Sequence, residues 1–292
     1  MTPEFINVPV RGGALRVARW TPGPDAPVVI AAHGITANHK NFSLLGDLIG
    51  DEITLIAPDL RGRGRSGKLP GPFGMRAHTE DLIATLDHFG VERATFLGHS
   101  MGGFVIPVAA TLYPDRVTNL VVVDGGVEII EVDAGTDIEE LAKTILGPSM
   151  ERLAMTFPTR RAYLDFWEPH PGLKACVPEL VEDYFTYDLV GEEGAYRSSV
   201  SREAVLADCT SELTEPTVVG AIERVTQPMT FLWAARGVFD QTPGLYSEGK
   251  MAALRERVPQ LESAMVDANH WTLLFGAGVH VVAEHVRKVA RT

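Results

Sequence analysis

Short apolar runs recur along this chain and alternate with stretches of helical period. Residues 27–32, 53–57, 94–97, 119–123 and 229–235 are almost wholly apolar, as expected of parallel strands covered on both faces. Residues 5–10 and 14–20 flank Arg11-Gly12-Gly13 and predict an antiparallel hairpin. Residues 262–266 predict one more strand. Between the runs, apolar positions at Leu82, Ile83, Leu86 and Phe89 mark a helix over 76–89. Further helices are predicted at 42–49, 103–110, 251–257 and 279–289. Pro107 falls inside the second of these and predicts a kink or bulge. Strands alternating with helices imply an α/β fold, a mostly parallel, doubly wound sheet of about eight strands with right-handed crossovers.

The alternation breaks in mid-chain. Residues 138–146, 150–157, 178–187 and 202–213 read as short helices interrupted by proline and glycine, with no convincing strand. The expected division is a core of residues 1–125 and 227–292 and an inserted helical cap of residues 126–226, entering after the sixth strand. Charge marks the same segment. Residues 126–225 hold 20 of the 38 acidic residues and 8 of the 26 basic ones, so the whole net charge of −12 arises there. A chain this acidic is a poor partner for nucleic acid. An acidic cover over a site also disfavours anionic substrates.

Other classes are excluded more simply. No run of about eighteen apolar residues exists, so no membrane span is expected. The start, Met1-Thr2-Pro3-Glu4-Phe5, has no basic region leading into an apolar one, and a cytoplasmic location is expected. Cys176 and Cys209 lack metal-ligand spacing and read as free thiols, so no metal is expected. The loop Asp59-Leu60-Arg61-Gly62-Arg63-Gly64-Arg65-Ser66-Gly67 lacks the lysine and spacing of a phosphate loop. It reads as a surface turn whose arginines pair with Asp59 and nearby carbonyls.

The chemistry centres on Gly98-His99-Ser100-Met101-Gly102, a G-x-S-x-G pattern between a predicted strand and a predicted helix. A serine on such a turn is forced outward with its hydroxyl exposed. The free N–H groups of the helix start favour negative charge beside it. In the order serine, acid, histidine, the late His270 stands where a base is required.

His33-Gly34, residues 59–66, Gly98 to Gly103 and Asn269-His270-Trp271 together resemble the α/β-hydrolase fold, over the whole chain and on the expected elements. The G-x-S-x-G turn, late histidine and mid-chain cap are typical of capped esterases in that superfamily. The resemblance implies that Ser100 is the nucleophile and His270 the general base. It implies an oxyanion hole of the Ile35 and Met101 backbone N–H groups. The acid is open between two residues. Asp124 follows the sixth strand, where some members carry it. Asp240 resembles the commoner placement after the seventh strand but falls about three residues late. Asp124 is the choice here and Asp240 the alternative. His33 would support the oxyanion loop, His99 would pack within the turn, and Asn38 and His39 would either touch substrate or only shape the loop. Of the cap aromatics Phe157, Tyr163, Phe166, Trp167, Tyr184, Phe185 and Tyr187, most would pack and a few would line a pocket.

The reading implied is a cofactor-independent serine hydrolase of an uncharged, moderately hydrophobic ester or lactone, acting alone or as a homodimer. Carbon–carbon bond hydrolases, amidases and perhydrolases share this machinery. A ligand-binding protein of this fold with little turnover is the alternative from another class.

Overall fold

The apolar runs assemble side by side. In the computed structural model, which describes residues 1–130, 132–133 and 135–291, the strands are β1 (Glu4–Val10), β2 (Gly13–Trp20), β3 (Val28–Ala32), β4 (Thr54–Pro58), β5 (Ala94–His99), β6 (Val117–Val123), β7 (Met229–Arg236) and β8 (Leu261–Asn269). They form an eight-stranded sheet of order β1-β2-β4-β3-β5-β6-β7-β8. The β1–β2 hairpin is antiparallel and joins β4 antiparallel through β2. Every pairing from β4 onward is parallel. Helices α1 (Ser43–Ile49), α2 (Met75–His88), α3 (Gly102–Leu112), α8 (Glu248–Arg257) and α9 (Val279–Ala290) accompany the sheet.

The period-2 geometry of strands explains why these runs are apolar throughout. Ile30, Phe96 and Val122 face one way and pack in a core with Leu82 of α2 and Val105 of α3. Their neighbours Val29, Leu97 and Val121 face the other way, into a core with Leu45 of α1 and Val282 of α9. All ten are fully buried, and each such side chain contributes about 1.5–3 kcal/mol on leaving water. Helix α3 continues through Pro107 to Leu112.

Residues 127–226 leave the sheet and return to it. They carry α4 (Ile138–Leu146), α5 (Arg160–Trp167), α6 (Pro178–Asp188) and α7 (Arg202–Thr214). Two expectations fail here. The helix expected over 150–157 stops early, because Phe157 exchanges backbone hydrogen bonds with Tyr196. A small antiparallel ladder joins Leu189–Val190 to Arg197–Ser198, where the sequence suggested no strand. It turns through Gly191 and Gly194, both at positive φ, and Asp188 at its start accepts from the Ser198 hydroxyl.

The parallel strands end along one edge of the sheet. The residues just beyond β3, β5, β6 and β8 are His33-Gly34-Ile35, Ser100, Asp124 and His270. In open α/β sheets, ligand sites form outside such carboxyl ends. Among the described residues, no helix is long and apolar enough to cross a membrane.

Candidate active site

One residue pair separates β5 from α3, so the chain must reverse sharply at Ser100. Its φ is +55°, a region non-glycine residues seldom visit. The turn is fixed by a hydrogen bond from Ser100 N–H to the Val123 carbonyl and another from Gly103 N–H to the Ser100 carbonyl, 3.0 and 2.8 Å. Two close approaches explain the glycines. A Cβ on Gly102 would lie 1.9 Å from the Ala32 oxygen, and one on Gly125 would lie 2.0 Å from the Ser100 oxygen. Neither backbone can retreat without breaking the sheet edge.

Asp124 follows β6 and is fully buried. Its Oδ1 accepts from Ala234 N–H at 3.1 Å, and its Oδ2 accepts from His270 Nδ1 at 2.7 Å. Because Nδ1 carries that donated proton, Nε2 of a neutral His270 is the accepting nitrogen. Asp240 stands elsewhere. Its exposed carboxylate accepts from Arg236 Nε at 2.9 Å and Asn269 Nδ2 at 3.0 Å. Those two hydrogen bonds hold its pKa below the usual carboxylate range. The loop after β7 seats Asp240 beside Asn269, one residue before His270.

His99 ties these parts together. Its Nδ1 accepts from Asn41 Nδ2 at 3.1 Å, and its Nε2–H donates to the His270 carbonyl at 3.2 Å. Burial and the neighbouring His270 ring hold its pKa well below the ordinary value, so it is a neutral strut.

The loop after β3 is held by hydrogen bonds to its carbonyls. Leu60 N–H donates to His33 Nε2 at 3.0 Å, so the His33 proton sits on Nδ1 and is donated to the Gly34 carbonyl at 2.8 Å. Burial lowers this histidine to about 3 and keeps it neutral. In a trans peptide the N–H points opposite to the carbonyl. Fixing the Gly34 carbonyl therefore aims the Ile35 N–H the other way, and the bond from Gly103 N–H to the Ser100 carbonyl does the same for Met101. Neither N–H meets an acceptor among the described residues. An ideal Cβ on Gly34 would lie 3.5 Å from Ser100 Oγ, so the loop flanks the serine directly.

Two buried arginines clasp the next carbonyls. Arg63 Nε donates to the Ile35 carbonyl at 2.9 Å, and Arg152 Nη2 donates to the Thr36 carbonyl at 2.9 Å. This overturns the reading of residues 59–67 as a surface turn. Arg61 and Arg63 are both buried. Arg61 pairs with Asp81 at 2.7 Å, and Arg63 pairs with Asp208 of α7 at 2.6 Å. Asp59 instead engages His39 Nδ1 and the Tyr187 hydroxyl. Burial alone would raise the pKa of Asp208, but Arg63 and His78 bring it down to about 2. Arg63→Met is therefore expected to strand a buried carboxylate and cost about 3–5 kcal/mol of stability. Urea unfolding checks this, and a loss below about 1 kcal/mol would place the pair among interactions of surface strength.

The strand-end residues and the helices above them enclose a cavity of about 1160 Å³, including its open mouth. Gly34, Ile35, Ser100, Met101, Asp124 and His270 all line it, as do Ile138, Leu141 and Ile145 of α4. Of the aromatics named from sequence, Tyr184 reaches this wall. Trp167 and Phe185 stack on each other with centroids 4.2 Å apart. Phe104, Trp271 and Glu212 also line the cavity, and sequence reasoning did not single them out for it. Asn38 and His39 do not reach it. Asn38 caps the turn His39–Phe42 by accepting from Lys40 N–H, and Asn41 lines the cavity in their place.

The profile of the alpha/beta hydrolase fold family matches residues 27–277. The chain belongs to that family. The hydrolase is 27% identical over 213 residues to 3-oxoadipate enol-lactonase 2 of Acinetobacter baylyi (strain ATCC 33305 / BD413 / ADP1), covering 73% of this chain and 72% of that protein. It is 36% identical over 101 residues to the esterase YbfF of Escherichia coli (strain K12), covering 34% of this chain and 39% of that protein. Among solved structures it is similar to E-2-(acetamidomethylene)succinate hydrolase, with a TM-score of 0.78, 20% identity and coverage of 99% of this chain and 100% of that one. It is also similar to a thermophilic esterase from Thermogutta terrifontis, with a TM-score of 0.69, 22% identity and coverage of 100% and 98%. At such identities the structural likeness speaks for the fold alone.

Proposed function

We propose that this hydrolase cleaves an uncharged, moderately hydrophobic carboxylic ester or lactone through an acyl-enzyme on Ser100. The observation that carries the proposal is the 2.7 Å bond from His270 Nδ1 to buried Asp124, on a wall shared with Ser100. A carboxylate there fixes the imidazole tautomer and stabilises the imidazolium. Esterase and lactonase relatives favour the same bond type.

In this mechanism His270 Nε2 takes the proton of Ser100 as Oγ attacks the ester carbonyl. The carbonyl electrons move onto its oxygen, which rests on the N–H groups of Ile35 and Met101. Each such donor contributes about 3–4 kcal/mol to the transition state. Collapse expels the alcohol, protonated by His270. Water, deprotonated by the same nitrogen, attacks the acyl carbon, and the carboxylic acid leaves as Ser100 regains its proton. Residues 126–226 act as a cap over a core of residues 1–125 and 227–292. The apolar face of α4 suits a substrate without charge.

A fluorophosphonate probe is expected to label Ser100, with steady turnover of short p-nitrophenyl esters in the unlabelled protein. Peptide mass spectrometry locates the adduct. A folded protein that neither reacts with the probe nor turns over any ester of the series would overturn the proposal.

A further inference from the structure

Three carboxyl side chains line the cavity among the described residues, and two are engaged. Asp124 holds His270. Glu128 accepts from Gly220 N–H at 2.8 Å. Glu212 is different: its Oε1 is buried and has no hydrogen-bond partner. No lysine or arginine lines the cavity among the described residues. An unpartnered buried polar atom is costly, so a ligand that satisfies it is favoured over one that does not.

The surroundings of Glu212 decide its charge. Asp208 lies one turn earlier on α7, already held by Arg63, His78 and the Gly74 N–H. Cys209 adjoins on the same helix, and Tyr246 approaches from the segment before α8. Helix α4 presents Ile138, Leu141, Ala142 and Ile145, while its charged Glu139 is taken by Lys143 and Arg202 outside. Burial first, and the charge of Asp208 second, push the Glu212 carboxyl up to about 8 against the pull of Arg63. Near pH 7 this favours the neutral form. A neutral carboxyl carries an O–H donor that a carboxylate lacks.

We propose that Glu212 is a specificity-determining residue that donates a hydrogen bond to a neutral acceptor, a carbonyl or ether oxygen, on a part of the substrate other than the scissile ester. This rests on the ester-hydrolase reading above. An anionic group at that position would meet carboxyls and no cation. A cationic group would have to leave water for a largely apolar cavity and strip the carboxyl of its proton, which is costly in such surroundings. A ketone, ester or ether oxygen needs only the donor already present.

The test compares matched ester pairs that differ by one oxygen. These are p-nitrophenyl 5-oxohexanoate against the hexanoate, and oxo-alkyl butyrates against alkyl butyrates, so that both sides of the ester are sampled. The ratio of kcat/KM within a pair cancels pH effects common to both esters. In the wild type one pair is expected to favour the oxo ester about tenfold, the worth of one hydrogen bond, and to lose that preference as pH rises through about 8. Glu212→Gln keeps a donor and should keep the preference at all pH values. Glu212→Leu should abolish it.

A second arm needs no turnover. Infrared difference spectra of wild type against Glu212→Gln should show the carbonyl stretch of a protonated carboxyl below pH 8, lost above it. Octan-2-one, which cannot be hydrolysed, should shift that band. Equal ratios in wild type and Glu212→Leu, an unshifted band, or a preference for amino esters that grows with pH would each overturn the proposal. If no ester is turned over, the hydrolytic reading fails, and the infrared arm still decides the role of Glu212.

Discussion

Ser100→Ala is expected to lower kcat for any ester substrate by about six decades, the loss seen when the nucleophile of a serine triad is removed. The substitution deletes one hydroxyl. It keeps the Cβ, and the hydrogen bonds that fix the turn run through the backbone to Val123 and Gly103. The fold and the cavity should therefore survive, with an unchanged thermal midpoint. The residual rate should still exceed the rate in water by about three to four decades, supplied by the oxyanion donors and by binding. Single-turnover kinetics with a p-nitrophenyl ester separate these contributions. If the variant kept more than about a hundredth of the wild-type rate, water would be attacking the ester directly, and Ser100 would not carry the acyl group.

Much of this arrangement is legible in the chain because it depends on local periodicity and on strand ends. The fully apolar runs could only be strands covered on both faces, and their boundaries fall within a few residues of the observed ones. The G-x-S-x-G turn was equally readable, since a Cβ on Gly102 would strike the Ala32 oxygen. What escaped depends on partners distant in sequence. Arg61 and Arg63 look like surface charges until Asp81 and Asp208 come beside them. Glu212 lies in an acidic helical stretch that reads as a solvated face, and only packing against α4 makes it part of a cavity. Helix α5 was missed because Pro158 and two adjacent arginines disguise its start, which the Thr159 side chain caps by accepting from Ala162 N–H.

The same distant pairs bear on how the helices over the sheet edge could influence the chemistry. Arg152 reaches the Thr36 carbonyl, and Asp208 holds the Arg63 that grips the Ile35 carbonyl. The first contact crosses from residues 127–226 directly to the loop beside Ser100, and the second does so through Arg63. A shift of α7 would thus move the peptide group next to the Ile35 N–H proposed to meet the oxyanion. Because donor position matters most where charge develops, such a shift should change kcat more than KM.

Asp124→Asn is expected to lower kcat by about four decades, the loss recorded when a triad acid becomes an amide. The reason is the direction of one hydrogen bond. Oδ1 of residue 124 accepts from Ala234 N–H, so an asparagine there keeps its oxygen on that side and turns its NH₂ toward His270 Nδ1. A donor facing Nδ1 requires that nitrogen to be unprotonated. The ring proton then moves to Nε2, the nitrogen that must accept from Ser100. Size and packing are unchanged, so the variant should fold normally, and the defect should lie in kcat and not in substrate binding. Asp240→Asn meets no such constraint. Its partners Arg236 and Asn269 lie at an exposed site, and an exposed ion pair is worth at most about 1 kcal/mol, so turnover should stay within a few-fold of wild type. Parallel measurement of kcat for the two variants decides the matter. Near-normal turnover in Asp124→Asn with a four-decade loss in Asp240→Asn would mean that the loop after β7 moves to His270 in the working enzyme, and that the acid is Asp240.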